Sequence, residues 1–112
     1  QPISSFQAIQ HMLADMATDI EAARALIYCV ARFIDGGAKE ITKESAMAKV
    51  FATDVGMRVT TNAVQVMGGS GYMKEYPVEK MMRDAKILQI YEGTNQIQRN
   101  VIGQALMKKN NK

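Results

Sequence analysis

The sequence predicts an all-α chain folded as an antiparallel up-and-down helical bundle. Apolar residues recur every three or four positions over long stretches, and glycine clusters or a proline fall between those stretches. Strand-like alternation with β-branched residues is nearly absent. At 112 residues the chain fits one domain, residues 1–112, and at 47% hydrophobic it can bury a core.

Ser4 to Asp35 reads as one long helix. Phe6, Ile9, Leu13, Met16, Ile20, Ala23, Ile27, Val30 and Ile34 form a bundle seam along it. Ser4 and Gln7 have the spacing of a capping box, and Gly36-Gly37 offers left-handed freedom at its end. Thr42 is placed to cap a second helix running to about Met67, with Ala46, Val50, Met57, Val64 and Met67 as its apolar stripe. Asp54 and Arg58 are spaced as an (i, i+4) pair. Gly68-Gly69-Ser70-Gly71 stops this helix. Pro77 suits the first turn of a third, from Val78 to about Ala85. Residues 87–93 form a connector too apolar to lie in water, and Thr94 can cap a last helix carrying Ile97, Val101, Ile102, Ala105 and Leu106. Two long helices and two short ones make a poor bundle alone. The uncovered seam of the first helix calls for another long partner, absent from this segment or supplied by another chain. The start at Gln1-Pro2 rather than Met likewise suggests a piece of something longer.

Composition excludes several function classes. Net charge is +3, with basic residues scattered except in the tail Lys108-Lys109-Asn110-Asn111-Lys112, which reads as a charged helix end that frays. No nucleic-acid motif accompanies it. No apolar run has membrane-spanning length. Cys29 is the sole cysteine, so a disulfide framework is excluded. Its apolar neighbours predict a buried packing role. His11 has no second ligand at helical spacing, and no metal is expected.

The run Ile90-Tyr91-Glu92-Gly93-Thr94-Asn95-Gln96 puts one carboxylate in apolar and aromatic company, beside a glycine, before a helix start. Apolar neighbours disfavour the charged carboxylate and raise its affinity for a proton, which suits a general base. A helix start offers unpaired N–H groups and partial positive charge, and glycine admits a ligand close to the backbone. A second run, Gln65-Val66-Met67-Gly68-Gly69-Ser70-Gly71-Tyr72, exposes backbone that can receive a dinucleotide phosphate or ribose, with Gln65 as a donor. A glycine-rich helix stop explains the same residues. Arg83-Asp84 reads as an ion pair fixing the connector that carries Glu92, or as a ligand contact.

The order of these pieces resembles the C-terminal signature of the acyl-CoA dehydrogenases, especially the short- and medium-chain type. Gln-x-x-Gly-Gly-x-Gly-Tyr is followed by Glu75-Tyr76-Pro77-Val78-Glu79-Lys80, then Met82-Arg83-Asp84-Ala85, then Ile90-Tyr91-Glu92-Gly93-Thr94. Phe6-Gln7, Leu13-Ala14-Asp15-Met16 and the run Lys43 to Lys49 fit the same family, so the resemblance covers essentially the whole chain. It implies the family's C-terminal four-helix bundle without its first long helix, without the Arg-x-x-Phe-Gly turn after that helix, and without the β-domain that holds the flavin ring. It implies FAD as cofactor and Glu92 as the base that takes the α-proton of an acyl-CoA. It places Tyr91 and Gly93 against substrate, and Thr94, Asn95 and Gln96 at the flavin diphosphate. Gln65, Val66, Met67, Gly68 and Gly69 would meet the adenosine side of a neighbouring subunit's FAD, with Gln7 near it too. The parent enzyme would be a homotetramer passing electrons to an electron-transfer flavoprotein. It would lie in the cytoplasm of a bacterium or the mitochondrial matrix of a eukaryote. The isolated segment is expected to be inactive. Two other readings stand beside this one. The chain could be a non-catalytic helical interaction module, or a family member using the fold for oxidation by oxygen or for other acyl-CoA dehydrogenations.

Overall fold

The computed structural model describes residues 1–110. Its four helices are α1 (Gln7–Asp35), α2 (Thr42–Met67), α3 (Val78–Leu88) and α4 (Asn95–Asn110), with 3-10 turns at Ile3–Ser5 and Gly68–Tyr72. Among the described residues there is no strand, as the periodicity predicts. No helix is long and apolar enough to cross a membrane. The end of the basic tail lies outside the described residues.

Helix α2 is the spine of an elongated molecule measuring 60 × 25 × 24 Å. It packs against α1, α3, α4 and the glycine turn, whereas α1 touches neither α3 nor α4 among the described residues. The helices α1 and α2 run antiparallel: Asp19, well before the 36–41 turn, takes a hydrogen bond of 2.9 Å from Arg58, as far beyond it. The turn itself needs glycine at Gly37, whose φ is +89°.

The buried apolar residues are small: Ala23, Val30, Ala46, Val55 and Ala85. Small side chains let helix axes approach, and the larger ones are pushed to the flanks. The α1 seam is therefore covered on one flank only. Its Phe6, Ile27 and Ile34 remain 57%, 43% and 49% exposed.

Several local expectations are corrected. The Ser4–Gln7 capping box does not form. Ser4 lies inside the first 3-10 turn, where its carbonyl accepts from Gln10 Nε2 at 2.9 Å, and Phe6 takes the cap position of α1 without a side-chain bond. Thr42 is the first residue of α2 rather than its cap. Helix α3 continues past Ala85 to Leu88. Arg83 pairs with Glu79 at 2.9 Å and Asp84 with Lys80 at 2.6 Å, because i,i+4 neighbours share a helix face and adjacent residues do not. For Arg58 the partner is Asp19 across the α1–α2 contact, not Asp54. Cys29 is exposed, since it sits about 100° around α1 from the buried Val30. The 87–93 connector is also open to water within this chain: Ile87, Ile90 and Tyr91 are about half exposed.

Candidate functional site

The turn between α3 and α4 carries the candidate base. Helix α3 ends in successive tight hydrogen bonds, from Gln89 N to the Lys86 carbonyl and from Ile90 and Tyr91 N to the Ile87 carbonyl. The chain then enters left-handed backbone at two consecutive residues, Glu92 (φ +55°) and Gly93 (φ +86°). For a glutamate that conformation costs roughly 1–2 kcal/mol. It persists only where neighbours over-determine it. Gly93 is favoured by its φ, and a Cβ there would sit 2.9 Å from Gln98 Nε2, so that amide would have to shift.

Glu92 itself is exposed, and no described residue closes over it. The water exclusion expected from its apolar neighbours is therefore not supplied by Tyr91 within this chain. Among the described residues the Glu92 N–H makes no hydrogen bond to a backbone carbonyl. Thr94 caps α4 as the sequence predicts, its Oγ1 accepting from Ile97 N–H at 3.2 Å. Gln96 is exposed beside it. Asn95 is different: it is 3% exposed and points inward. Its Oδ1 accepts from Lys49 Nζ at 2.6 Å, while its Nδ2 donates to Thr53 Oγ1 at 2.9 Å and to Asp54 Oδ1 at 2.7 Å. Its own N–H donates to the Gln89 carbonyl at 3.0 Å, closing the turn.

Asp54 is the hub of this cluster. Besides Asn95 it accepts from Gln89 Nε2 at 2.8 Å and from Arg99 Nη2 at 2.5 Å. Partial burial pushes its carboxyl up. Hydrogen bonds from Arg99, Asn95 and Gln89, with the Arg99 charge, outweigh that and hold it below the usual carboxylate range. A polar recess of about 240 Å³ at the start of α4 is lined by Lys86, Gln89, Thr94, Gln96 and Arg99, and also by the Asp54 carboxylate, to which Gln89 and Arg99 already donate. The two cations outnumber that carboxylate, and with the Thr94 hydroxyl, the Gln96 amide and a helix N-terminus they form a donor set that an anionic group takes. Lys49, Gln89, Gln98 and Arg99 escaped the sequence reading, and Asp54 was assigned the wrong partner. Lys49, Gln89, Asp54 and Arg99 act across helices, where local spacing gives no signal, and Gln98 folds back onto the turn before its own helix.

The second constellation sits at the other end of α2. Gln65 is exposed, Val66 and Met67 are half-buried, and Gly68 and Gly69 are exposed. Gly68 adopts φ +65°, ψ −144°, a conformation essentially confined to glycine. A Cβ on Gly71 would lie 2.6 Å from the Val64 carbonyl, so the turn folds back onto α2 only because glycine is there. Lys49, which touches the Glu92 turn, and Gln65 are separated by about 24 Å of helix at ~1.5 Å per residue. Gln7 is exposed at the start of α1, a helix with no contact to α4. The structure thus brings Tyr91 to Gln96 together, keeps Gln65 to Gly69 together at a distance, and leaves Gln7 apart from the Glu92 turn. No cluster of three His, Cys, Asp or Glu suited to a metal occurs among the described residues.

Comparison with known proteins gives this geometry a setting. The probable acyl-CoA dehydrogenase FadE25 of Mycobacterium tuberculosis is 56% identical over 108 residues, spanning 96% of this chain and 28% of the relative. The structure of butyryl-CoA dehydrogenase from Megasphaera elsdenii superposes with a TM-score of 0.91 at 55% identity, over 96% of this chain and 28% of that one. A chain from the structure reported for the electron transferring flavoprotein of Acidaminococcus fermentans matches at 59% identity and a TM-score of 0.89, over 93% of this chain and 27% of that one. This chain thus spans little more than a quarter of the length of these relatives. Residues 1–107 match the profile of the acyl-CoA dehydrogenase C-terminal domain. On that match, and with the all-helical fold in agreement, the chain belongs to the acyl-CoA dehydrogenase family.

Proposed function

We propose that this chain is the C-terminal helical domain, lacking its first long helix, of an FAD-dependent acyl-CoA dehydrogenase, and that Glu92 is its catalytic base. The observation that carries the reading is the Glu92 turn: a carboxylate held exposed on left-handed backbone beside a glycine, with an N–H that bonds to no backbone carbonyl among the described residues. Glu92 Oε takes the α-proton of the thioester and becomes the neutral acid. The electron pair of that C–H bond forms the new double bond as hydride departs from the β-carbon. The Glu92 N–H donates to the thioester carbonyl, where negative charge develops as the proton leaves. Gly93 leaves room for substrate against the backbone, and the bound acyl chain excludes water from the carboxylate.

FAD, when bound, supplies the hydride acceptor. Thr94 and Gln96 hold its diphosphate region at the polar recess. Asn95, whose side chain is fully engaged inward, serves that end by anchoring the turn beneath it. Gln65 to Gly69, with Gln7, face the adenosine side of an FAD bound mainly by another subunit of a homotetramer. The wide separation of the two constellations along α2 supports two different cofactor copies. An electron-transfer flavoprotein then reoxidises the cofactor.

In the full-length flavoenzyme carrying this segment, Glu92→Gln is expected to slow flavin reduction by a factor on the order of 10²–10⁴. Gln retains size and backbone N–H, so substrate binding is expected to stay close to wild type. Anaerobic mixing with acyl-CoA while following flavin absorbance is the measurement. Bleaching at the wild-type rate would remove Glu92 from the role of base. The 112-residue chain by itself is expected to bind FAD and acyl-CoA only weakly, since most contacts of a preorganised site would come from other segments. Stoichiometric micromolar binding of FAD in a fluorescence titration would contradict that.

A further inference from the structure

We propose that Lys49 is a positioning residue for Glu92: reaching from α2, it clamps the backbone of the 92–95 turn and so aims the carboxylate. The inference rests on Glu92 being the base, and its experiment separates the two claims. Lys49 Nζ donates to the Gly93 carbonyl at 2.9 Å and to Asn95 Oδ1 at 2.6 Å. Among the described residues Lys49 forms no ion pair. A strongly hydrated ammonium is thus spent on two neutral oxygens, although carboxylates lie elsewhere on the same helix.

The geometry gives this expenditure a purpose. A peptide group is planar, so fixing a carbonyl fixes the orientation of the whole unit. Gln98 Nε2 donates to the Glu92 carbonyl at 3.0 Å, and Lys49 holds the next carbonyl along. Both peptide units after Glu92 are therefore pinned, one from α4 and one from α2. Upstream, the Asn95 N–H to Gln89 carbonyl bond closes the turn. Asn95 cannot swing away, because Asp54 and Thr53 hold its amide and Arg99 holds Asp54. The left-handed Glu92 backbone relaxes unless it is restrained, and Lys49 is the restraint that ties it to the spine of the molecule.

Positioning errors of about 1 Å can cost on the order of a hundredfold in rate while leaving binding little changed. In the full-length flavoenzyme, Lys49→Met keeps the apolar stem and removes the donors. The expected result is flavin reduction at saturating acyl-CoA slowed by about tenfold or more, with FAD content retained and the substrate dissociation constant within about threefold of wild type. Gln98→Ala removes the second pin from a half-exposed position that does not threaten folding, and should slow reduction several-fold in the same pattern. Hydrogen exchange on the 112-residue chain supplies a readout independent of activity. In Lys49→Met the Asn95 amide, which is bonded to the Gln89 carbonyl, should exchange faster while those of central α2 keep their protection. If both variants reduce flavin at the wild-type rate while Glu92→Gln is inactive, the positioning role falls and the base assignment stands. If Glu92→Gln is itself active, the base assignment falls, and exchange alone judges the clamp: unchanged exchange at Asn95 overturns it. Loss of protection throughout α2 in Lys49→Met, with Gln98→Ala at the wild-type rate, likewise overturns it in favour of a general folding role.

Discussion

Helix α2 has two unlike sides. Toward α4 it presents Lys49, Thr53 and Asp54, which meet Asn95, Gln89 and Arg99 in a fully paired polar cluster. Toward α1 it presents small apolar residues that meet Ala23 and Val30, next to large apolar side chains left half in water. The two contacts restrain differently. Apolar packing is non-directional, and helices held by it can adjust by small slides. Hydrogen bonds to a buried amide have fixed geometry and leave an unsatisfied group if they slip. The polar side is the one that carries the turn with Glu92, so the directional contacts lie beneath the proposed base.

The largest expected effect tests the polar side. Asn95→Ala removes a buried amide and strands groups on Lys49, Thr53 and Asp54, and should cost about 3 kcal/mol in urea unfolding of the 112-residue chain. Val55→Ala, on the apolar side at 3% exposure, should cost about 2 kcal/mol from lost burial and a small cavity. The contrast is sharper in local opening. Asn95→Ala should release the 89–95 amides ahead of global unfolding, whereas Val55→Ala should lower protection uniformly. Equal local release in both variants would dissolve the distinction between the two sides.

The apolar side was the more legible one. The three–four spacing from Phe6 to Ile34 gives α1 to within a turn, Gly37 and Gly68 mark ends that need positive φ, and Thr94 caps as its type and place suggest. Such signals are local, and a helix records its own face in its own sequence. The polar side hid because its partners are distant in sequence. Asp54 has an arginine at i+4, the ordinary expectation on one helix, yet Arg58 turns to Asp19 and Asp54 takes Arg99 from α4. Asn95 reads as a surface residue in a first turn and is the most buried polar residue described. Its inward orientation follows from the backbone at 92–93 rather than from any neighbour in sequence. Glu92, the proposed base, is singled out by residue types, because a lone carboxylate between Tyr and Gly ahead of a cap stands out without its partners.

Acid should act most on the polar side, because the carboxylate across the α1–α2 contact, Asp19, meets Arg58 in an exposed ion pair that contributes little. The Asp54 carboxyl is held below its ordinary value of about 3.9, so its contribution to stability is fully present above that pH. It is lost as pH falls through the lower folded value, when protonation weakens the hold of Arg99, Asn95 and Gln89. Below about pH 4 the α2–α4 contact should loosen before the α1–α2 contact does. Asp54→Asn should be less stable than wild type at neutral pH and should show a flatter decline below pH 4. Parallel acid curves for the two proteins would mean that Asp54 is not the group that couples the turn to pH.

The smallest expected change in fold stability comes from the α1 seam, and it decides what that seam is. Ile27 lines the groove between α1 and α2 but is 43% exposed, so within this chain it behaves as half core and half surface. If the seam belongs to the core, Ile27→Gln costs as much as Val55→Ala. If the seam is a face that another helix or a second copy covers, the cost to the monomer stays below about 1 kcal/mol, because nearly half of the side chain is in water to begin with. We expect the second outcome, together with a fall in self-association. Large apolar side chains along one face, from Phe6 through Ile27 to Ile34, form a strip that water disfavours, and the 112-residue chain should pair through it at high concentration. Light scattering on wild type and Ile27→Gln across a concentration series measures this. A monomeric wild type at all concentrations, or a variant as destabilised as Val55→Ala, would make the apolar side a self-sufficient core and erase half of the contrast drawn between the two sides of α2.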